Sequence, residues 1–211
     1  MIQLNMNMWG ANTKMKISYD VDTQNDFMNK NGALYVPDAE LIKPNLRLLT
    51  DFARKNFVPI VGSVDSHPEN DPEFKVFPPH CIKKTNGELK IPETTVYTSG
   101  HGLYTSEDRV MDKGRYLANL KDIAKSSELE KGKARLNNLI YELKNHDPKN
   151  MKNMRPIYFE KQSYDVFTNP AFPAFLEQIN INEAVVYGVA TDYCVKAAVL
   201  GMQQRGVQCY V

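Results

Sequence analysis

Four apolar segments of the 211-residue sequence each lead into side chains that could act as an acid, a base, a nucleophile or a metal ligand. In chain order these side chains are Asp22, the pair Asp65 and His67, Lys161, and Cys194 after a short turn. Ligands of open α/β sheets bind outside the carboxyl ends of the strands. If the apolar segments are parallel strands, these side chains therefore meet at one edge of a sheet.

Cys194 is the candidate nucleophile. It lies where a turn becomes a helix, and a helix N-terminus can lower the pKa of a cysteine from about 8.5 into the range of about 3.5 to 7.5. Asp22 could take the thiol proton and return it to a leaving amine, with Lys161 balancing the charge between them. Backbone N–H groups at the start of the helix could hold the oxyanion. The alternative, a small buried core thiol, suits Cys209 better.

The stretch VDSHPENDPEFKVFPPHC (64–81) contains a second set of reactive residues. Asp65 and His67 are two residues apart, so their side chains share one face of an extended chain. His80 follows two prolines that hold the backbone rigid. Asp and His are acceptable zinc ligands, and Glu73 lies on the loop between them. Two surface histidines beside turn prolines are the alternative interpretation.

The aspartate-rich stretch YDVDTQNDF (19–27) does not fit a calcium loop of the EF-hand type. Such a loop requires glycine at its sixth position, and the sixth residue counted from Asp20 is Asn25. We expect Asp26 to brace the turn through hydrogen bonds from the backbone. No role follows for Asp20 from the sequence.

The pattern of apolar residues predicts a single α/β domain, with a doubly wound, mostly parallel sheet and helices on both faces. Helical spacing of Leu41, Leu46 and Phe52 predicts a helix over residues 39–56. The predicted strands cover residues 16–21, 57–64, 155–160 and 183–189. We interpret residues of about 100–153 as a helical insertion on the surface.

Composition excludes several classes of partner. A net charge of +1 gives no general attraction to nucleic acid, and the basic residues of the insertion lack interleaved aromatic residues. The sequence contains neither a signal peptide nor a run of about 18 apolar residues. Three cysteines without a C-x-x-C pair fit a reducing compartment. We therefore expect a cytoplasmic protein with a small-molecule substrate.

Four motifs, taken together and in this order, resemble the isochorismatase-like cysteine hydrolases and, within them, the nicotinamidases. The resemblance spans most of the chain outside the N-terminal tail and the insertion. The motifs are DTQNDF (22–27), VDSHP with FPPHC (64–68 and 77–81), FEKQSYDVF (159–167) and GVATDYCVKAA (188–198).

The resemblance implies roles for the catalytic residues. Asp22 is then the base and Cys194 the nucleophile, with Lys161 as the third member of the triad. The family also implies a cis peptide between Val189 and Ala190, which would direct the Ala190 and Cys194 amides at the oxyanion. Such a bond costs about 3–4 kcal/mol in a non-proline residue.

A divalent metal ion is also implied by the resemblance, with zinc expected and manganese or iron as alternatives. Its ligands would be Asp65, His67, Glu73 and His80, and it would bind the pyridine nitrogen of nicotinamide. Three further side chains would contact the substrate: Phe27, Phe77 and Tyr164. Several relatives have tryptophan at the position of Phe77.

The implied function is a metal-dependent nicotinamidase of NAD salvage, which hydrolyses nicotinamide to nicotinate and ammonia through a cysteine thioester. The alternative keeps the same catalytic residues for another amide or an N-carbamoyl or ureido substrate. A non-catalytic binding protein that uses the basic insertion is a third hypothesis. We expect a homo-oligomer, and neither nucleic acid nor membrane as a partner. The resemblance also implies further strand and helix after Val211.

Overall fold

A six-stranded parallel sheet organises the chain in the computed structural model, which describes residues 15–96, 115–117, 126–144 and 155–211. The order across the sheet is β3-β4-β2-β1-β5-β6, and every neighbouring pair is parallel. This confirms the predicted α/β fold. The strands are β1 (Met15–Val21), β2 (Ile60–Asp65), β3 (Arg115–Leu117), β4 (Ile157–Lys161), β5 (Ile181–Gly188) and β6 (Gln208–Tyr210).

Five α-helices connect or follow these strands in the described part of the chain. They are α1 (Asn25–Met28), α2 (Lys43–Lys55), α3 (Ser126–Lys144), α4 (Ala171–Ile179) and α5 (Lys196–Gln203). A short 3-10 helix, Ala39–Ile42, precedes α2, so the predicted helix of residues 39–56 is divided in two. No helix among the described residues is long and apolar enough to cross a membrane.

Alternate side chains of β1 lie on opposite faces of the sheet, and each face packs against different helices. Ile17, Tyr19 and Val21 lie in the larger core cluster, together with buried residues of α3, α4 and α5. The ring of Phe172 in α4 lies 5.3 Å from that of Tyr19. On the opposite face, α2 contacts β1 and β2 and buries Leu46. Helices therefore cover both faces, and the carboxyl ends of the strands remain available for a site.

The described part of the segment 100–153 corrects the prediction of a surface insertion. Its residues 115–117 form the edge strand β3, which pairs with β4. Its helix α3 packs against α4 and belongs to the main core. The apolar side chains at helical spacing are all buried, namely Leu136, Leu139, Ile140 and Leu143. Removing this area from water is the physical reason that the helix lies on the sheet. The rest of the segment lies outside the described residues.

Candidate active site

The ammonium group of Lys161 connects three of the predicted site residues at the carboxyl edge of the sheet. Its Nζ lies 2.8 Å from Asp22 Oδ2 and 3.6 Å from Cys194 Sγ, and it also donates to Asp65 Oδ1. All four side chains are buried. The strands explain this convergence, because Asp22 directly follows β1, whereas Asp65 and Lys161 are paired residues at the ends of β2 and β4.

The backbone holds Asp22 in an unusual conformation. Its φ of 47° lies in the left-handed region, which few residues other than glycine adopt. Ser63 in β2 supports this turn, since its hydroxyl donates to Asp22 Oδ1 at 2.8 Å and its carbonyl accepts from Asp22 N at 3.2 Å. The carboxylate is thereby directed with one oxygen toward Ser63 and the other toward Lys161.

Burial and charge together determine the protonation of this cluster. Burial opposes the charged form of Lys161, but Asp22, Asp65 and Cys194 hold the pKa of its ammonium well above the usual range. Burial likewise opposes the charged form of Asp65, yet Lys161 and the neighbouring imidazoles of His67 and His80 lower its pKa. The cluster therefore has a permanent cation beside the thiol of Cys194.

The Cys194 thiol differs from the prediction of a cysteine activated by a helix N-terminus. Burial raises its pKa, Lys161 lowers it, and Asp22 and Asp65 raise it further, so the overall direction is upward. Cys194 lies inside a π-helical turn, Thr191–Val195, that precedes α5. Desolvation by burial is the largest contribution to this upward shift of the Cys194 pKa. A protonated thiol requires a neighbouring base before it can attack.

The turn before Cys194 also corrects the expected cis peptide. The Val189–Ala190 bond is trans, as are all peptide bonds of the described residues. The chain reverses instead through Ala190, whose φ of 60° and ψ of 66° are left-handed. The Ala190 carbonyl accepts from Tyr193 N and Val195 N at 3.0 and 3.2 Å. An oxyanion hole formed by the Ala190 and Cys194 amides stays a prediction.

The four predicted metal ligands converge beside this cluster. His67 Nε2 lies 3.8 Å from Asp65 Oδ2 and 3.6 Å from Glu73 Oε2. His80 Nε2 lies 3.4 Å from the same Asp65 oxygen. Suitable ligand atoms of Asp65, His67 and His80 all lie within 4.8 Å of one another. The irregular spacing in sequence thus becomes one compact group of nitrogen and carboxylate ligands.

Two buried atoms in this group favour a bound cation. Within the described residues, His67 Nε2 and Glu73 Oε2 have no hydrogen-bond partner although both are shielded from water, and His67 Nδ1 has only an ion-pair contact of 3.1 Å with Asp71 Oδ2. Burying a polar atom without a partner costs roughly 1–3 kcal/mol. A divalent ion would satisfy both atoms, and two imidazoles with two carboxylates are an acceptable donor set for zinc. The residues therefore fit a metal ion.

A cavity of about 300 Å³ opens between Cys194 and His80. Asp65, Glu73, His80 and Cys194 lie in its wall, and so do the three aromatic residues predicted to contact substrate, Phe27, Phe77 and Tyr164. The ring of Phe27 lies 5.5 Å from that of His80, and the ring of Phe77 lies 6.4 Å from it. The cavity suits a flat ring with a small polar substituent.

Sequence reasoning missed several residues of this cavity. Tyr193 contacts Phe77 and Tyr164 edge-on, with ring centroids 6.4 and 6.3 Å apart. Its position next to the predicted nucleophile was an available signal. The cavity is also lined by Tyr35 and Asp192.

Gln24 was also missed, although it holds one of the candidate ligands in place. Its side-chain amide accepts from Asp65 N at 2.8 Å and donates to the Asp65 carbonyl at 2.7 Å. It donates as well to the carbonyl of Glu88 at 2.8 Å. A glutamine is not reactive itself, so its contribution becomes visible only from these contacts.

The two remaining aspartates of the stretch 19–27, Asp20 and Asp26, support the chain around the site. Asp26 braces the chain more widely than predicted, because it accepts from the amides of Ala33 and Cys81 at 3.1 and 2.7 Å. Asp20, for which the sequence predicted no role, forms a buried ion pair with Lys90 at 3.0 Å.

Comparison with known proteins finds several that are similar to this chain. Residues 132–211 match the model of the isochorismatase domain family. An uncharacterized isochorismatase family protein PncA of Bacillus subtilis (strain 168) is 26% identical over 195 residues, which is 90% of this chain and 80% of that protein.

Solved structures share the fold. The nicotinamidase/pyrazinamidase PncA of Bacillus subtilis matches with a TM-score of 0.59 and 24% identity, over 92% of this chain and 82% of that one. The pyrazinamidase of Pyrococcus horikoshii in complex with zinc matches with a TM-score of 0.57 and 20% identity, over 92% and 80% of the two chains. The partial family match and the motifs in the site make this chain similar to the isochorismatase-like hydrolases.

Proposed function

We propose that this protein is a metal-dependent nicotinamidase, which hydrolyses nicotinamide to nicotinate and ammonia through a thioester on Cys194. The observation that carries the proposal is the position of Lys161, whose ammonium lies 2.8 Å from Asp22 and 3.6 Å from the Sγ of Cys194, a residue of the cavity wall. A buried thiol, a carboxylate base and a fixed cation are the groups that nucleophilic amide hydrolysis requires.

The first half of the reaction forms the thioester. Asp22 takes the thiol proton as the Cys194 sulfur attacks the amide carbon, and the ammonium of Lys161 stabilises the negative charge that develops on sulfur. The carbonyl oxygen becomes an oxyanion, for which the Ala190 and Cys194 amides are the proposed donors. The carbon–nitrogen bond then breaks, and Asp22 returns the proton to the leaving nitrogen, which departs as ammonia.

The second half regenerates the enzyme. Asp22 takes a proton from a water molecule, which attacks the carbonyl carbon of the thioester. The carbon–sulfur bond breaks, and Cys194 regains its proton from Asp22. The raised pKa of the buried thiol favours its protonated resting state, so the same carboxylate serves in both halves.

Asp65, His67, Glu73 and His80 would hold the metal ion, with zinc favoured by the ligand set and manganese or iron as alternatives. When bound, the ion supplies a ligand site for the pyridine nitrogen and so orients the carboxamide toward Cys194. Phe27, Phe77 and Tyr164 would contact the ring from the cavity wall. We further propose a role in NAD salvage, a cytoplasmic location and a homo-oligomeric assembly.

The alternative function is hydrolysis of another amide, or of an N-carbamoyl or ureido compound, by the same catalytic residues. The unpartnered His67 Nε2 and Glu73 Oε2 favour the nicotinamidase, because a substrate without a ring nitrogen gives the metal group no direct role in binding. Aromatic residues in the cavity also favour a flat ring over a flexible chain.

Ammonia release from three substrates tests the proposal: nicotinamide, benzamide and N-carbamoylsarcosine. Benzamide has the same shape as nicotinamide but lacks the ring nitrogen, so it is the matched control for metal-assisted orientation. We expect rapid, chelator-sensitive release from nicotinamide and slow release from benzamide. Equal rates for the first two substrates would remove the proposed role of the metal, and preference for N-carbamoylsarcosine would establish the alternative.

A further inference from the structure

Asp71 contacts two of the predicted metal ligands, His67 and Glu73, and forms a compact group with them, although it lies outside the predicted ligand set. Its Oδ2 lies 3.1 Å from His67 Nδ1. Its Oδ1 accepts from the backbone amide of Glu73 at 2.9 Å. The Asp71 side chain is only 7% exposed, and that of His67 is 0% exposed. Each of the two oxygens of the Asp71 carboxylate therefore contacts a different candidate ligand, and the contacts are shielded from solvent.

The contact with His67 determines which ring nitrogen can bind a metal. A neutral imidazole carries one proton, and the nitrogen without it is the ligand. A carboxylate beside Nδ1 holds the proton on that nitrogen and leaves Nε2 as the ligand. His67 Nε2 is the nitrogen near Asp65 and Glu73, at 3.8 and 3.6 Å from their carboxylate oxygens. Asp71 thus selects the ring orientation that the site requires.

The contact with Glu73 positions the second ligand. Asp71 is the N-cap of a short 3-10 helix, Pro72–Lys75, and Glu73 lies in the first turn of this helix. Capping fixes the direction in which the helix leaves the loop. Within the described residues Glu73 Oε2 is buried and has no hydrogen-bond partner, so its position depends on the backbone that carries it.

We propose that Asp71 is a positioning residue of the metal site, which orients His67 through Nδ1 and Glu73 through its helix cap. This inference rests on the proposed function, because it assumes that the group binds a metal. Carboxylates that hydrogen-bond to metal-binding histidines typically contribute about 10- to 100-fold to metal affinity. Asp71→Ala is therefore expected to weaken zinc binding by about 10- to 100-fold.

A second capping aspartate provides a matched control. Asp165 is the N-cap of another 3-10 helix, Val166–Thr168, and accepts from Phe167 N at 2.9 Å. Asp165→Ala removes the same type of cap as Asp71→Ala but leaves the candidate ligands unchanged. Loss of the cap alone should affect both variants similarly in thermal unfolding of the metal-free protein. Only the Asp71 variant should also lose metal affinity.

The experiment measures zinc affinity by competition with a chromophoric chelator, and records the absorption spectrum of each protein loaded with cobalt(II). The proteins are the wild type, Asp71→Ala, Asp71→Asn and Asp165→Ala. We expect the Asp165 variant to match the wild type in affinity and spectrum. Asp71→Ala should bind more weakly with an altered cobalt spectrum. Asp71→Asn, which keeps the shape but only one acceptor oxygen, should also bind more weakly and provides the test if the alanine variant does not fold.

The outcomes separate the two proposals. A wild-type protein that binds neither zinc nor cobalt overturns the metal-dependent function itself. A wild type that binds zinc tightly, with Asp71 variants of unchanged affinity and spectrum, overturns only the positioning role. An equal loss of affinity in the Asp165 and Asp71 variants would also overturn it, because the effect would then come from capping in general.

Discussion

Replacing Lys90 with methionine is expected to destabilise the protein more than any change to an exposed lysine. Lys90 Nζ lies 3.0 Å from Asp20 Oδ1, and the two side chains are only 1% and 0% exposed. The ammonium also lies 4.7 Å from the centroid of the Tyr158 ring. Methionine keeps much of the length of the side chain but removes the charge, so the Asp20 carboxylate is left buried without its cation. Breaking a buried ion pair in this way costs about 3–5 kcal/mol.

The cost should depend on pH in a definite direction. Burial raises the pKa of Asp20, whereas Lys90 and Thr23 lower it. Without Lys90 the carboxyl takes up a proton more readily in the folded than in the unfolded chain, whose pKa is about 3.9. Stability of the variant therefore falls as pH rises from about 4, by up to about 1.4 kcal/mol per pH unit, until the raised pKa is passed. The full cost should be present at pH 8 and only part of it at pH 4.5.

Urea unfolding, followed by circular dichroism at both pH values, measures these free energies. Lys83→Met is the control, since Lys83 is 46% exposed and forms a pair of 3.4 Å with Glu160, and it should cost less than about 1 kcal/mol. In an Asp20→Asn background, Lys90→Met should be neutral or stabilising, because no buried carboxylate then needs the cation. A cost for Lys90→Met that is below 1 kcal/mol, equal at both pH values, or unchanged by Asp20→Asn would refute the reasoning.

Two further substitutions test the packing, and one labelling reaction tests the state of the cysteine. Leu139→Ala should lower the free energy of unfolding in urea by about 2–5 kcal/mol, because Leu139 is buried in the main core. Lys133→Ala, on the exposed side of the same helix, is the control and should have little effect. Equal costs for the two variants would contradict the packing of α3 on the sheet. Gly201→Ala should cost about 1–3 kcal/mol, since its new methyl would lie 2.0 Å from Phe167 Cε2, and a Phe167→Leu background should reduce that cost. In the metal-free protein, Cys194 should react with iodoacetamide more slowly at pH 7.5 than a free cysteine, because burial raises its pKa; a faster reaction would contradict the raised pKa.

The strand ends could be predicted from the sequence, because each run of β-branched and apolar residues is followed by a reactive side chain. These runs placed the reactive residues at the carboxyl ends of the strands. Asp22 and Cys194 belong to different strand connections, and the parallel order of β2, β1 and β5 brings those connections together. The four metal candidates converge in the same way. For such residues, the rule that ligands bind at the carboxyl ends of the strands predicts that the side chains lie close together, even without a known distance between them.

The burial of individual side chains was harder to predict from the sequence. Helical spacing identified the apolar face of residues 136–143 but could not show that this face lies on the sheet. In the helix before β2 the same reasoning overestimated burial, since Leu41 and Phe52 are 70% and 63% exposed. The pKa of Cys194 was predicted in the wrong direction because desolvation depends on all surrounding atoms, and the helix dipole is one local contribution among them.

The supporting residues could not be predicted at all. Gln24 and Lys90 act through hydrogen bonds or an ion pair with residues far away in sequence, whereas Asp71 contacts His67 and Glu73 on its own loop. Glutamine, aspartate and lysine are common in turns, so their types carry little information on such a role. Only the positions of their partners reveal that they hold the site.

The central claim is that Cys194 is the nucleophile of an amide hydrolysis, and ammonia release by a Cys194→Ala variant tests it most directly. The variant should first be shown to bind zinc with the affinity of the wild type, so that an unfolded site is excluded. We predict that the zinc-loaded wild type releases ammonia from nicotinamide and that the zinc-loaded variant releases none above the enzyme-free background. Release by the variant at a rate close to that of the wild type would contradict the account.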